Sequence, residues 1–363
     1  MDAGATQQRF TVLDGLRGLA ALVVVTDHVP SVALMNLLPG RYLAVDFSFA
    51  LSGFVLAHVY IKRFAAGLGL GAFMRARAIR LYPLYIAATL LGAALAALKV
   101  SQGASEAGWG QVGLSTVLGA FYLPTPPGFT AVANEPFPFN GPAWSLFFEL
   151  VVNVVFALIA LRLTRTLFGT VLALGAAGVV WAAYHFGQLD GGFVWSNFVA
   201  GFPRVFYAFF VGVLIYRLRA HWSPPALPFW LSFVLLLVMF MIPTPEGWRW
   251  AWDSLAAIVL FPLLIAFSAN SSVSGVASRA CATAGMLSYG FYVFQVPVRD
   301  WTNYLLHGGA FVGGIGQVAL VTMLTIAVAS ILHAVYDVPV RRFLTGRLLA
   351  RQAGGNHVEP GKA

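Results

Sequence analysis

Cysteine is almost missing from this chain: among 363 residues there is one, Cys281. A single thiol excludes a disulfide framework within the chain and any cysteine-rich metal site. Charge is scarce as well, at 10% of residues, where soluble domains carry about 25%. Acids are the rarer sign, 13 against 22 lysines and arginines. No internal repeat, heptad run or low-complexity tract is present, which excludes solenoid and coiled-coil architectures. The residues before the first apolar run lack a basic start, and no small-residue cleavage site follows it, so no cleavable signal peptide is expected.

Apolar residues fill the space, at 59% of the chain with a mean hydropathy of +0.80. A soluble fold could not hide that much apolar surface, so lipid is the expected solvent. Ten runs approach the roughly 20 residues that cross a bilayer core: 11–29, 44–61, 79–98, 142–161, 168–186, 203–217, 227–243, 251–269, 286–305 and 314–336. The stretch 112–124 is apolar but short and ends in prolines, which predicts a re-entrant or interfacial helix. Basic residues cluster after every second span: Lys62 to Arg80, Arg162 and Arg165, Arg217 and Arg219, Arg279, then Arg341 to Arg351. The intervening loops hold most of the acids. That alternation places both termini in the cytoplasm. It also explains the net charge of +9 without a nucleic-acid partner. The expected fold is therefore an all-α membrane bundle of about ten helices over residues 1–351, with a disordered tail over 352–363.

Charged groups cost at least a few kcal/mol in the bilayer core, so each one asks for a reason. In the first span Arg17 and His28 are eleven residues apart, close to three turns, so they share one face about 16 Å apart. Arg17 alone reads as a snorkelling boundary residue, and His28 alone as a core histidine bonded to a neighbouring helix. Their shared face, with Asp14 and Asp27 adjacent, favours a functional site. Asp46, at the start of the second span with Ser48 and Ser52 below it, falls at the depth of His28. It could accept one imidazole N–H and leave the other nitrogen as a base; Asp27 is a weaker partner, because neighbouring helix residues do not face each other. Glu149 lies about two turns inside the span that follows Pro142, where helix pairing and catalysis are equally open. Ser288, Tyr292, Gln295 and Arg299 form a polar stripe expected to face a cavity or other helices. Arg75, Arg77 and Arg80 concentrate planar guanidinium groups at the cytoplasmic side, suited to phosphate and equally to anionic lipid headgroups.

These residues resemble acyltransferase family 3, membrane enzymes that include polysaccharide O-acetylases and macrolide acylases. The likeness spans nearly the whole chain. It rests on Asp14-Gly15-Leu16-Arg17-Gly18 with His28, on Val45-Asp46-Phe47-Ser48 through Phe54, on the Arg75 to Pro83 stretch, and on Pro142-Ala143-Trp144-Ser145-Leu146 with Glu149. Two departures stand out: Gln295 where the family usually has histidine, and Asp337 where glutamate is common. The resemblance implies transfer of an acyl group, usually acetyl, from cytoplasmic acyl-CoA to a hydroxyl of a cell-surface glycan or similar acceptor, in a bacterial inner membrane. It implies acyl-CoA as co-substrate and no permanently bound cofactor or metal. His28, with Asp46 or Asp27 and Glu149, would be catalytic, as base or acyl relay. Arg17, Arg75, Arg77, Arg80, Ser52, Trp144, Tyr292 and Gln295 would bind substrates. The rival reading is a proton-coupled transporter using His28, Asp46 and Glu149, which the lack of internal symmetry disfavours. Acceptor, acyl chain and oligomeric state stay open at this point.

Overall fold

The computed structural model describes residues 10–162, 164–310 and 313–355. Fourteen α-helices follow one another: α1 Thr11–His28, α2 Val32–Leu37, α3 Ala44–Ala65, α4 Leu70–Ser101, α5 Trp109–Ala120, α6 Ala143–Ile159, α7 Arg165–Phe186, α8 Gly201–Leu218, α9 Phe229–Met241, α10 Arg249–Leu255, α11 Phe261–Ser268, α12 Gly275–His307, α13 Ile315–Leu332 and α14 Val338–Gly355. Among the described residues there is no strand. Wider π-turns at 256–260 and 333–337 join α10 to α11 and α13 to α14.

Six helical stretches are long and apolar enough to cross a membrane: Arg41–Ala65, Leu70–Ser101, Arg165–Phe186, Trp195–Leu218, Arg249–Ser268 and Ile315–Arg347. The chain is a multi-pass membrane protein. α6 and α9 are apolar but shorter. α1 fails on composition, because its 18 residues carry Asp14, Arg17 and Asp27. α1, which bears Arg17 and His28, is thus not among the stretches apolar enough to be counted as a span. Residues 112–124 form the last part of α5 and the turn after it; its 12 residues make about 18 Å of helix, short of a crossing. It packs on α4, where the Tyr85 hydroxyl donates to the Gly119 carbonyl. The expected tail over 352–363 falls largely outside the described residues.

Two helix pairs organise the bundle, α1 with α12 and α3 with α8. Both close on glycine, as membrane helices do when backbones approach. In the first pair Gly18 faces Ala284 and Gly285 faces Asp14; in the second, a side chain at Gly53 would collide with the Phe209 carbonyl, and one at Gly212 with the Ala50 carbonyl. These clashes are with backbone, which cannot rotate away. Gly53→Val should therefore cost about 3 kcal/mol or more, read as a lower melting temperature of the detergent-purified protein; an unchanged melting curve would contradict the packing.

Candidate active site

A cavity of about 240 Å³ opens between α1, α3, α4, α6 and α12. Arg17, Ser52, Arg77, Arg80, Glu149 and Tyr292 all line it, together with Ser48, Ser145, Ser288 and Tyr289. The guanidinium groups sit at the end where α1 and α12 begin. Arg17 donates from Nε to Ser288 Oγ (3.1 Å) and from Nη2 to Asp14 Oδ1 (2.9 Å) and the Gly285 carbonyl (2.8 Å). Glu149 Oε1 accepts from both Arg77 Nη2 and Ser52 Oγ, each at 2.8 Å. Glu149 therefore braces α3 and α4 against α6. Arg80 makes no hydrogen bond or ion pair among the described residues, and the charges it faces are Arg341, Arg17, Asp337 and Arg77. Three cavity arginines against two carboxylates leave this end positive and suited to an anion. Beyond it, Asp337 on the second π-turn holds His333 and Arg341.

At the other end lies His28, last residue of α1. Its Nδ1 stands 3.0 Å from the Val24 carbonyl, which can only accept, so Nδ1 carries the proton and Nε2 keeps its lone pair in the neutral ring. Arg299 Nη1 donates to the His28 carbonyl (3.0 Å) and fixes the helix end. His28 is not on the cavity wall, but Val24, one turn below, is. The imidazole thus stands just past the far end of the cavity.

Five sequence expectations change. Asp46 does not orient His28: its two oxygens take Arg204 Nε (3.0 Å) and Nη2 (2.7 Å), and both residues are 1% exposed. Arg204 also donates to the Gly191 carbonyl and lies over the Trp144 ring at 5.2 Å from its centroid. Trp144 is accordingly a packing surface for this buried pair and not a wall of the cavity. Asp27 pairs with Arg41 at 2.9 Å instead of with the imidazole. Arg75 is exposed on α4 and apart from the cavity; two residues along a helix turn the side chain by about 200°, so it cannot share a face with Arg77. Gln295 is fully buried and lies off the cavity wall, with both amide atoms lacking a partner among the described residues.

Sequence reasoning missed Arg204, hidden in the apolar run that becomes α8, and the Ser145–Tyr292 hydroxyl pair at 2.7 Å that ties α6 to α12. It also gave no role to Glu135, in the loop before α6. Burial lifts this carboxyl to about 7, with Arg299 opposing and Asp300 reinforcing the rise. A raised carboxyl favours unfolding once pH exceeds its ordinary value of about 4.3. Glu135→Gln should therefore be more stable than the parent at pH 8 and indistinguishable at pH 4.5, measured by thermal melts; equal curves at both pH values would contradict the burial.

The family model described as an acyltransferase domain matches residues 10–334. Protein 2 of the picA locus of Rhizobium radiobacter is 41% identical over 188 residues, 49% of this chain and 97% of that protein. The acyltransferase MdmB of Streptomyces mycarofaciens is 28% identical over 387 aligned positions, 93% of each chain. No solved structure matches the chain.

Proposed function

The chain belongs to acyltransferase family 3, and from that premise we propose that it transfers an acyl group, most simply acetyl, from cytoplasmic acyl-CoA to a hydroxyl of a cell-envelope glycan or a similar acceptor. The observation that carries this reading is the polarity of one cavity, with Arg17, Arg77 and Arg80 at one end and His28 just beyond the other. Coenzyme A has the matching polarity: phosphates at one end, a neutral arm and a thioester at the other. The basic C-terminal ends of α3 and α8, Lys62, Arg63, Arg217 and Arg219, support turning the arginine end to the cytoplasm of a bacterial inner membrane, with ten crossings and both termini inside.

In this reading Arg80 is the first group to meet the donor phosphates, since nothing in the described protein occupies it. Arg77 is held ready by Glu149, and Arg17 stands on the α1 wall of the same end. His28 Nε2 takes the proton of the acceptor hydroxyl as it attacks the thioester carbon, and returns it to the departing CoA thiolate. The burial of Asp46 with Arg204 leaves His28 to act without a carboxylate partner. Among the described residues, its ring is hydrogen-bonded to the Val24 carbonyl.

Purified protein incubated with labelled acetyl-CoA should release free CoA thiol and pass label to an envelope-glycan extract. Absence of both, with acyl-CoA-independent solute movement across proteoliposomes, would sink the proposal in favour of transport. Arg80→Ala should raise the KM for acyl-CoA by about 10- to 100-fold, the worth of one charge-assisted contact, and leave kcat nearly unchanged. An unaltered KM would remove Arg80 from the donor site.

A further inference from the structure

Every hydroxyl on the cavity wall gives its proton to the protein itself. Ser48 Oγ donates to the Ala44 carbonyl (2.7 Å), Ser52 Oγ to Glu149 Oε1 (2.8 Å) and Ser288 Oγ to the Gly285 carbonyl (2.9 Å). The Tyr289 hydroxyl donates to the Leu81 carbonyl (2.7 Å). Ser145 Oγ stands 2.7 Å from the Tyr292 hydroxyl and 3.0 Å from the Pro142 carbonyl, which can only accept. Ser145 therefore donates to Pro142, and Tyr292 donates to Ser145. Among the described residues no other hydroxyl lines the cavity. What these groups turn toward its interior is lone pairs. Side-chain donors are confined to the guanidinium groups of Arg17, Arg77 and Arg80.

A complementary ligand has acceptor oxygens at one end and hydrogen-bond donors along its middle. Any phosphate meets the first demand, whether on a lipid, on an acyl phosphate or on coenzyme A. The second demand separates them. An acyl phosphate has no N–H group, and neither do the acyl chains of a diacyl lipid. The arm of coenzyme A carries two amide N–H groups between its phosphates and its sulfur.

The spacing agrees. Arg17 bonds Ser288 and Arg299 bonds the His28 carbonyl, each pair 271 residues apart, so α1 and α12 run parallel in one register. Tyr292 is then level with Ala21 (292 − 271 = 21), another wall residue. That level lies four residues above Arg17 and seven below His28, about 6 Å and about 10 Å along the helix. From phosphorus to sulfur the extended arm covers about 13 bonds at about 1.2 Å each, roughly the distance from Arg17 to His28. The amide nitrogen nearer the phosphate is about six bonds from phosphorus, or roughly 7 Å, which brings it to Tyr292.

Resting on the acyl-transfer reading, we propose that the Tyr292 hydroxyl oxygen, held by Ser145, accepts the N–H of that amide, so that the site selects pantetheine thioesters by their arm. No covalent bond changes at this contact. It keeps the arm extended between the arginine end and His28.

The test compares acetyl-CoA with an analogue in which an ester oxygen replaces the N–H of the amide nearer the phosphate. The purified parent should show a KM about tenfold higher for the analogue, because one hydrogen bond is lost and two lone pairs are set face to face. The kcat for thiol release should stay within about threefold. Tyr292→Phe removes the oxygen and keeps the ring. Its KM for acetyl-CoA should rise about tenfold, and its preference between the two donors should fall below about twofold. A tyrosine that only ties α6 to α12 would lower the melting temperature and leave the preference intact. Equal KM values for the two donors in the parent would overturn the assignment and leave acyl transfer standing, and this comparison needs no variant. A full preference retained by Tyr292→Phe would do the same, as would parent turnover of acetyl phosphate at the rate of acetyl-CoA. Parent protein that turns over no acyl-CoA would overturn the proposed function and this contact with it.

Discussion

Replacing His28 by alanine should lower acyl transfer by about 10²- to 10⁴-fold, the span that a positioned general base contributes, while the protein stays folded. The imidazole is the last side chain of α1, and its hydrogen-bonding partner is a carbonyl of the same helix, at Val24. Removing it breaks no side-chain hydrogen bond between helices among the described residues. The helix end keeps its own brace, because Arg299 donates to the backbone of residue 28 and not to the ring. His28→Gln is the companion variant: it can still bond the Val24 carbonyl but cannot take up a proton near neutral pH, and should be as inactive as alanine. Thiol release from acyl-CoA, label transfer to acceptor and melting temperature are read together. Near-normal transfer by either variant would remove His28 from the chemistry.

The second large effect is on folding, not on catalysis. Asp46→Ala leaves the Arg204 guanidinium, 1% exposed, without its carboxylate between α3 and α8. Breaking a buried pair from one side costs about 3–5 kcal/mol, against total stabilities of about 5–15 kcal/mol. The variant should fail to accumulate in membranes or melt far below the parent. Removing both charges together, Asp46→Leu with Arg204→Met, should restore most of the lost stability, since an apolar pair of similar volume is often neutral or better. The measurement is the amount of folded protein in detergent and its melting temperature across the single and double variants. A well-folded, inactive Asp46→Ala protein would reverse the assignment and return Asp46 to the side of His28.

How far these residues could be read from the chain depends on where their partners lie. Arg17 and Glu149 stood out because a charge inside an apolar run is expensive, and the structure puts both on one cavity. The stripe from Ser288 to Arg299 was legible because helical spacing is local information. Asp46 drew the same notice, but its partner is 158 residues away at the start of α8, and no spacing rule links two separate helices. Its nearest imidazole at equal depth was therefore the natural wrong choice. Arg75 was misplaced for a different reason. The sequence set the helix to begin at 79, whereas α4 begins at Leu70, and only that earlier start turns Arg75 away from Arg77 and Arg80. The span count illustrates the same trade: polar residues that serve the site lower the hydropathy of α1, so its membrane signal weakens where its chemistry is richest.

The cavity's two-ended character is tested most directly by steady-state thiol release from acyl-CoA, with Arg80→Ala and His28→Ala compared against the purified parent. The account predicts opposite signatures: a raised KM with kcat kept for Arg80→Ala, and kcat lost with the KM little changed for His28→Ala. Both variants shifting the same constant, or His28→Ala turning over acyl-CoA at the parent rate, would contradict a donor site at the arginine end and chemistry at the histidine end.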